Sequence, residues 1–184
     1  MLISPRHLID RLRYPRSRAD ELAALRARFA AQPTGRQASA DARGLATELR
    51  ELRLELYGVL HHAQVCADCA RGHPLPAGRW DGGHCCSGKT LELFSQDEVA
   101  ALKLAGTDGA TLRPPRSDHA GCVFRGPAGC SLDPADRPTI CVRYICSELR
   151  DELRVGPDQR RFRQLSGALT RTFKRFVATR RAEP

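Results

Sequence analysis

Residues 122–146 have the sequence CVFRGPAGCSLDPADRPTICVRYIC, and this stretch decides what kind of fold the chain can adopt. It holds four of the eight cysteines of the 184-residue chain. Glycine, proline and aspartate are so frequent between Gly121 and Arg143 that backbone pairing alone would hardly fix its conformation. We therefore expect a further interaction to order this part of the chain.

The other cysteines precede this stretch, and all eight fall within residues 66–146. Residues 1–30 scatter arginines where a secretory signal would have an apolar run, so we expect a cytoplasmic protein. Because the cytoplasm keeps exposed thiols reduced, clustered cysteines there indicate metal ligation rather than disulfides. All eight are candidate metal ligands: Cys66, Cys69, Cys85, Cys86, Cys122, Cys130, Cys141 and Cys146.

The spacing of the cysteines bears on the choice of metal. A zinc ribbon usually has two C-x2-C knuckles, and this chain has one, Cys66-x2-Cys69. Adjacent side chains such as those of Cys85 and Cys86 point in different directions, which suits two metals or two irons of one cluster. We predict an iron–sulfur cluster with a redox or accessory role. The alternative is a structural zinc module that presents basic helices to a nucleic acid or protein partner.

Two segments resemble a known family. The stretch from Cys122 to Cys146, with its Cys-x-Phe, Gly-Cys and Arg-Pro-x-x-Cys elements, is similar to the second half of the CxxCxxCC (YkgJ-like) cysteine-cluster family. Residues 84–88, His-Cys-Cys-Ser-Gly, and the helix containing Glu98 resemble its first half. The resemblance covers about residues 66–147. It implies a chelated metal, because the family is described as chelating zinc or iron.

The chain departs from the family pattern at one place. The pattern has its first two cysteines six and three residues before the cysteine pair, where this chain has Arg79 and Gly82. We expect Cys66 and Cys69 to replace them. Since the sequence contains no glycine-rich nucleotide loop either, neither the resemblance nor the motifs supply a reaction, and enzymatic activity stays open.

The segment before the cysteines, residues 1–65, is predicted to be helical. Leucine and phenylalanine at helical spacing predict a helix over 18–31. A second helix begins near Asp41, with an apolar seam at Leu45, Leu49, Leu52, Leu56 and Val59. The two are expected to form an antiparallel pair whose seam is core, with dimerisation through the seam as the alternative.

Two more helices are predicted from capping signals. Ser95 and Glu98 form a capping box at the start of a short helix that Gly106 ends. After residues 156–158, Gly-Pro-Asp, a long helix has an apolar seam of Phe162, Leu165, Leu169, Phe173 and Phe176. Its other face is basic, with Arg160, Arg161, Arg163, Arg171, Lys174 and Arg175. Arg137 is expected either beside the sulfur atoms or in a surface turn.

We therefore predict one small, mainly α domain with three parts. These are an N-terminal helical segment (1–65), a loop-rich, metal-ordered cysteine region (66–147) and a C-terminal basic amphipathic helix (148–184). The chain has a net charge of +9, and residues 147–184 carry ten basic and five acidic side chains. A protein partner for this helix is favoured over nucleic acid, and no apolar run is long enough to span a membrane.

Overall fold

The computed structural model describes residues 18–33, 38–61, 90–115, 122–126, 129–145, 147–154 and 158–183. Within these residues the helices are α1 (Arg18–Ala31), α2 (Ala40–Leu60), α3 (Thr90–Leu93), α4 (Gln96–Leu104), α5 (Thr139–Arg143), α6 (Ser147–Arg154) and α7 (Asp158–Ala182). A two-residue ladder joins β1 (Arg125–Gly126) to β2 (Gly129–Cys130), and a 3₁₀ turn follows at Pro134–Asp136. The predicted mainly α fold is confirmed.

The two long helices, α2 and α7, pack antiparallel and form the main core. Contacts pair the start of one with the end of the other: Ser39 meets Glu183, and Glu48 accepts a hydrogen bond from Thr172. The predicted seams lie at this interface, with Leu49, Leu56, Leu169 and Phe176 fully buried. The seam of α2 is therefore covered by the chain itself, as expected for core positions.

The first helix has a different partner. α1 packs against α3 and α4, and its Leu25 and Phe29 join a second apolar cluster with Phe94 and Phe124. Lys103 of α4 donates to the carbonyl oxygen of Phe29 at the C-terminus of α1, 2.9 Å away. Both predicted N-terminal helices are present, but the antiparallel partner of α2 is α7. Periodicity identifies the buried face of a helix and leaves its partner open.

Helix α4 begins and ends as its sequence predicts. The Ser95 hydroxyl accepts a hydrogen bond from the backbone N–H of Glu98 at 3.2 Å. At the other end, Gly106 has φ of 99°, and the N–H groups of Gly106 and Thr107 bond to the carbonyl oxygens of Lys103 and Leu102. This pairing is the Schellman motif, which needs a residue that tolerates positive φ.

The structure adds two features to the predicted organisation. The C-terminal segment contains two helices, α6 and α7, where one was expected. The described part of the cysteine region contributes Leu112, Val123 and Leu132 to the second apolar cluster, which it shares with α1. Within the described residues, no helix is long and apolar enough to cross a bilayer.

Candidate metal centre

Three of the eight predicted ligands lie within the described residues. Cys122 is buried just before β1, Cys130 is half-buried at the end of β2, and Cys141 is half-buried in α5. The other predicted ligands lie outside the described residues: Cys66, Cys69, Cys85, Cys86 and Cys146. The structure therefore describes the surroundings of three of the four cysteines in residues 122–146.

The short ladder and the turn before it connect the backbone of Cys122 to that of Cys130 through Arg125. The N–H of Arg125 bonds to the carbonyl oxygen of Cys122 at 3.1 Å, which closes a turn and keeps their Cα atoms within about 7 Å. Arg125 is directly opposite Cys130 in the ladder, and paired residues have Cα atoms about 5 Å apart. Gly129 has φ of 100°, a conformation that glycine adopts without strain. Both cysteines contact the same apolar cluster.

Arg125 is a buried cation in the same ladder. It is 2% exposed, and residues directly opposite in an antiparallel ladder have their side chains on the same face. The side chain of Arg125 therefore leaves the ladder on the face that carries Cys130.

Thr90 attaches the loop of Cys122 to two helices. Its hydroxyl accepts a hydrogen bond from the backbone N–H of Val123, next to Cys122, at 3.0 Å. The same hydroxyl donates to the Glu21 carboxylate of α1 at 2.5 Å. Thr90 is fully buried and follows Cys86 by four residues in the sequence. This hydrogen-bond chain attaches the loop of Cys122 to the start of α3 and to α1.

Glu98 holds the helix that carries Cys141. Both of its carboxylate oxygens accept a hydrogen bond from the backbone N–H of Thr139, the first residue of α5, at 3.1 and 3.0 Å. The Thr139 hydroxyl donates to the same carboxylate, and Arg53 of α2 pairs with it at 3.3 Å. Since Cys141 is two residues further along α5, its backbone position is set by contacts with α2 and α4.

Arg53 and Glu98 form a buried ion pair, with Arg53 fully buried and Glu98 nearly so. Burial raises the pKa of Glu98 and lowers the pKa of Arg53, because a low-dielectric environment disfavours both charges. Their mutual attraction opposes both pKa shifts, and the hydrogen bonds from Thr139 oppose the shift of Glu98, without cancelling either. The pair is thus costly to bury, and its benefit is the fixed position of α5.

Arg137 binds the backbone of Cys130 and of the chain that follows it. Its guanidinium donates to the carbonyl oxygen of Leu132 at 3.1 and 3.0 Å and to that of Cys130 at 3.5 Å. It also lies over the ring of Tyr57 in α2, 5.3 Å from the centroid. Of the two expected positions, the structure favours the turn, because the side chain is bound to backbone oxygens.

Within the described residues, no three Cys, His, Asp or Glu side chains are grouped so that they could hold a metal ion. Cys122, Cys130 and Cys141 therefore do not complete a site among themselves. A site built on them would take further ligands from the other cysteines.

Sequence reasoning missed the side chains that support these cysteines. Arg53 had a usable signal, because a charged residue four positions after Leu49 and three before Leu56 lies on the same side of the helix as the apolar seam. Thr90 and Arg125 had none, since their burial depends on contacts between distant segments. Comparisons of the chain with family models, with curated proteins and with solved structures find no match in any of the three.

Proposed function

We propose that this protein binds a metal through its clustered cysteines, with an iron–sulfur cluster as the first choice and structural zinc as the alternative. The observation that carries the proposal is the confinement of all eight cysteines to residues 66–146. Thiolate sets of this size suit several iron or zinc ions, because one mononuclear zinc takes four ligands. The resemblance to the CxxCxxCC family agrees with this reading of the residues.

The surroundings of the described cysteines support the proposal. Cys122 is three residues before the buried Arg125, Cys130 is opposite Arg125 in the ladder, and Cys141 is on a helix held by Glu98. Metal sites perform best when other contacts fix the backbone of their ligands before the metal arrives. Thr90, whose hydroxyl binds the backbone beside Cys122, follows Cys86 by four residues in the sequence.

The two choices of metal imply different roles. An iron–sulfur cluster would give the protein a redox or accessory role, such as electron transfer or redox sensing for a partner enzyme. Zinc has no redox chemistry, so a zinc site would be structural and function would reside on the basic helices. Adjacent Cys85 and Cys86 and the single C-x2-C knuckle favour the first choice.

Air-free purification followed by iron, sulfide and zinc analysis tests the proposal. We expect a brown protein with broad absorption near about 400 nm and matching iron and sulfide contents. A colourless protein with stoichiometric zinc would select the alternative. A fully folded protein free of both metals would refute metal binding.

A pair of variants on one helix identifies a ligand. Cys141→Ser should lower the metal content per chain, because serine is a poor ligand for soft metals. Val142→Ala is the matched control, since Val142 is buried in the same helix and its truncation disturbs packing without removing sulfur. Equal metal loss in both variants would show that Cys141 acts only through the fold.

A further inference from the structure

The exposed side of α7 carries one row of positions three or four residues apart, opposite the buried seam. The row contains five cations and two small residues: Arg160, Arg163, Gly167, Arg171, Lys174, Ala178 and Arg181. All five cations are exposed. At 1.5 Å of rise per residue the row is about 32 Å long. It contains no carboxylate, so the field along this side of the helix is uniformly positive.

Carboxylates of neighbouring helices neutralise other cations of α7. Arg161 pairs with Glu55, and Arg180 with Asp97, which is also 4.0 Å from Arg181 at the end of the row. Within the described residues, no ion pair involves the remaining four cations of the row: Arg160, Arg163, Arg171 and Lys174. We leave out Arg181 because of its contact with Asp97. We call the four cations Arg160, Arg163, Arg171 and Lys174 the basic row. Their charges are available to an external polyanion.

The charge pattern of the basic row suits a nucleic-acid duplex. Its four cations are exposed, share one side of the helix and span about 21 Å along it, so they can contact several phosphates in succession. The guanidinium of Arg171 folds back over Gly167, where a Cβ would lie 3.3 Å from Nη1. We infer that the basic row binds the phosphates of double-stranded DNA without reading the base sequence.

Other polyanions fit this surface less well. Single-stranded nucleic acids need exposed aromatic rings on which bases stack, and the phenylalanines of α7 lie on its core side. Insertion into a lipid surface needs large apolar side chains on the exposed face, where α7 has glycine and alanine. Duplex RNA has a major groove too narrow for a helix. The inference is independent of which metal the cysteines bind.

Binding of the full-length protein to a mixed-sequence DNA duplex, measured across a salt series, tests this inference. Four phosphate contacts predict a slope of log K against log salt of about −3.6, or about 150-fold weaker binding on going from about 50 to about 200 mM salt. The double variant Arg171→Gln/Lys174→Gln should have a slope of about −1.8. Arg171→Lys should keep the slope of the natural protein, because it keeps the charge.

A second double variant controls for net charge. Arg154→Gln/Arg161→Gln removes the same charge from the same segment, but both arginines already pair with carboxylates and lie outside the basic row. Its slope should stay at about −3.6. An equal fall in both double variants would overturn the inference. So would absence of duplex binding at about 50 mM salt, tighter binding to a single strand or to duplex RNA, or binding only to anionic lipid vesicles.

Discussion

Replacement of Thr90 by valine tests the hydrogen bonds that attach the loop of Cys122 to α3 and α1. Valine has nearly the same shape as threonine, so the change removes the hydroxyl and leaves the volume. Thr90 is 0% exposed, and its hydroxyl makes two hydrogen bonds, from Val123 and to the Glu21 carboxylate. A bond to a charged acceptor contributes about 1.5–3 kcal/mol and a neutral bond about 1 kcal/mol. We expect Thr90→Val to lower the free energy of unfolding by about 3 kcal/mol.

Thr90→Ser is the matched control. Serine keeps both hydrogen bonds and loses one buried methyl group, which costs about 1 kcal/mol. Urea unfolding of reduced, air-free protein, followed by circular dichroism, measures both losses, and metal analysis of the same samples measures metal per chain. If the hydroxyl holds the loop of Cys122, only the valine variant also loses metal.

Comparison of the stability losses of the valine and serine variants shows whether the hydroxyl of Thr90 stabilises the protein. A valine variant that is as stable as the serine variant would show that the hydroxyl adds nothing beyond packing. A large loss of stability with unchanged metal content would separate this hydrogen-bond chain from the cysteine site. In that case Thr90 would only join α3 to α1.

Four further predictions concern packing, charge and metal, and the first is made for a pair of glycine variants. Gly109→Ala should destabilise the protein by about 1–3 kcal/mol, because a Cβ there would lie 2.5 Å from Cγ of Phe29. Gly58→Ala, in open space on α2, should stabilise the protein by about 0.5–1 kcal/mol. Equal changes in the free energy of unfolding of the two glycine variants, measured by urea unfolding, would contradict both expectations. Leu169→Ala, at a fully buried position, should cost about 2–5 kcal/mol in the same assay. Burial raises the pKa of Glu98, so folding takes up a proton at this carboxyl group when the pH lies between its unfolded and folded pKa values. The free energy of unfolding of the natural protein, relative to that of Glu98→Gln, should therefore be greatest below the ordinary carboxyl pKa of 4.5. It should fall as the pH rises through the raised pKa. The opposite slope would mean that ion pairing outweighs desolvation. Removal of metal by a chelator under reducing conditions should leave the helical circular dichroism signal nearly unchanged. Loss of that signal would contradict the expectation that the helical core is stable without metal.

The helices follow from local sequence signals. The predicted boundaries of α1 agree with the structure, because its leucine spacing and the break after Ala31 are both local. The end of α4 was predictable for the same reason, since Gly106 supplies the conformation that a Schellman motif needs. The chain before α7 gave a weaker signal: α6 has few apolar residues and was merged with its neighbour.

The contacts that support the cysteines could not be predicted in the same way. Glu98 was expected to complete a capping box at its own helix, and its side chain instead caps α5, 41 residues away in the sequence. Arg137 was placed near the sulfur atoms or in a turn by sequence proximity alone. Such partners depend on how α2, α4 and α5 pack, and periodicity contains no information about that arrangement.

Helix α4 contributes side chains to both apolar clusters, and this arrangement bears on the structural role of a bound metal. Its Ala100 and Ala101 belong to the cluster around α2 and α7, whereas Val99 and Leu102 belong to the cluster that contains Cys122. The described part of the cysteine region is therefore packed against apolar side chains, and a metal bound there would add to this burial. Thiolates brought together without a cation would repel one another. A metal would thus act locally on the cysteines, and a scaffold fixed in advance lowers the entropy cost of assembling them.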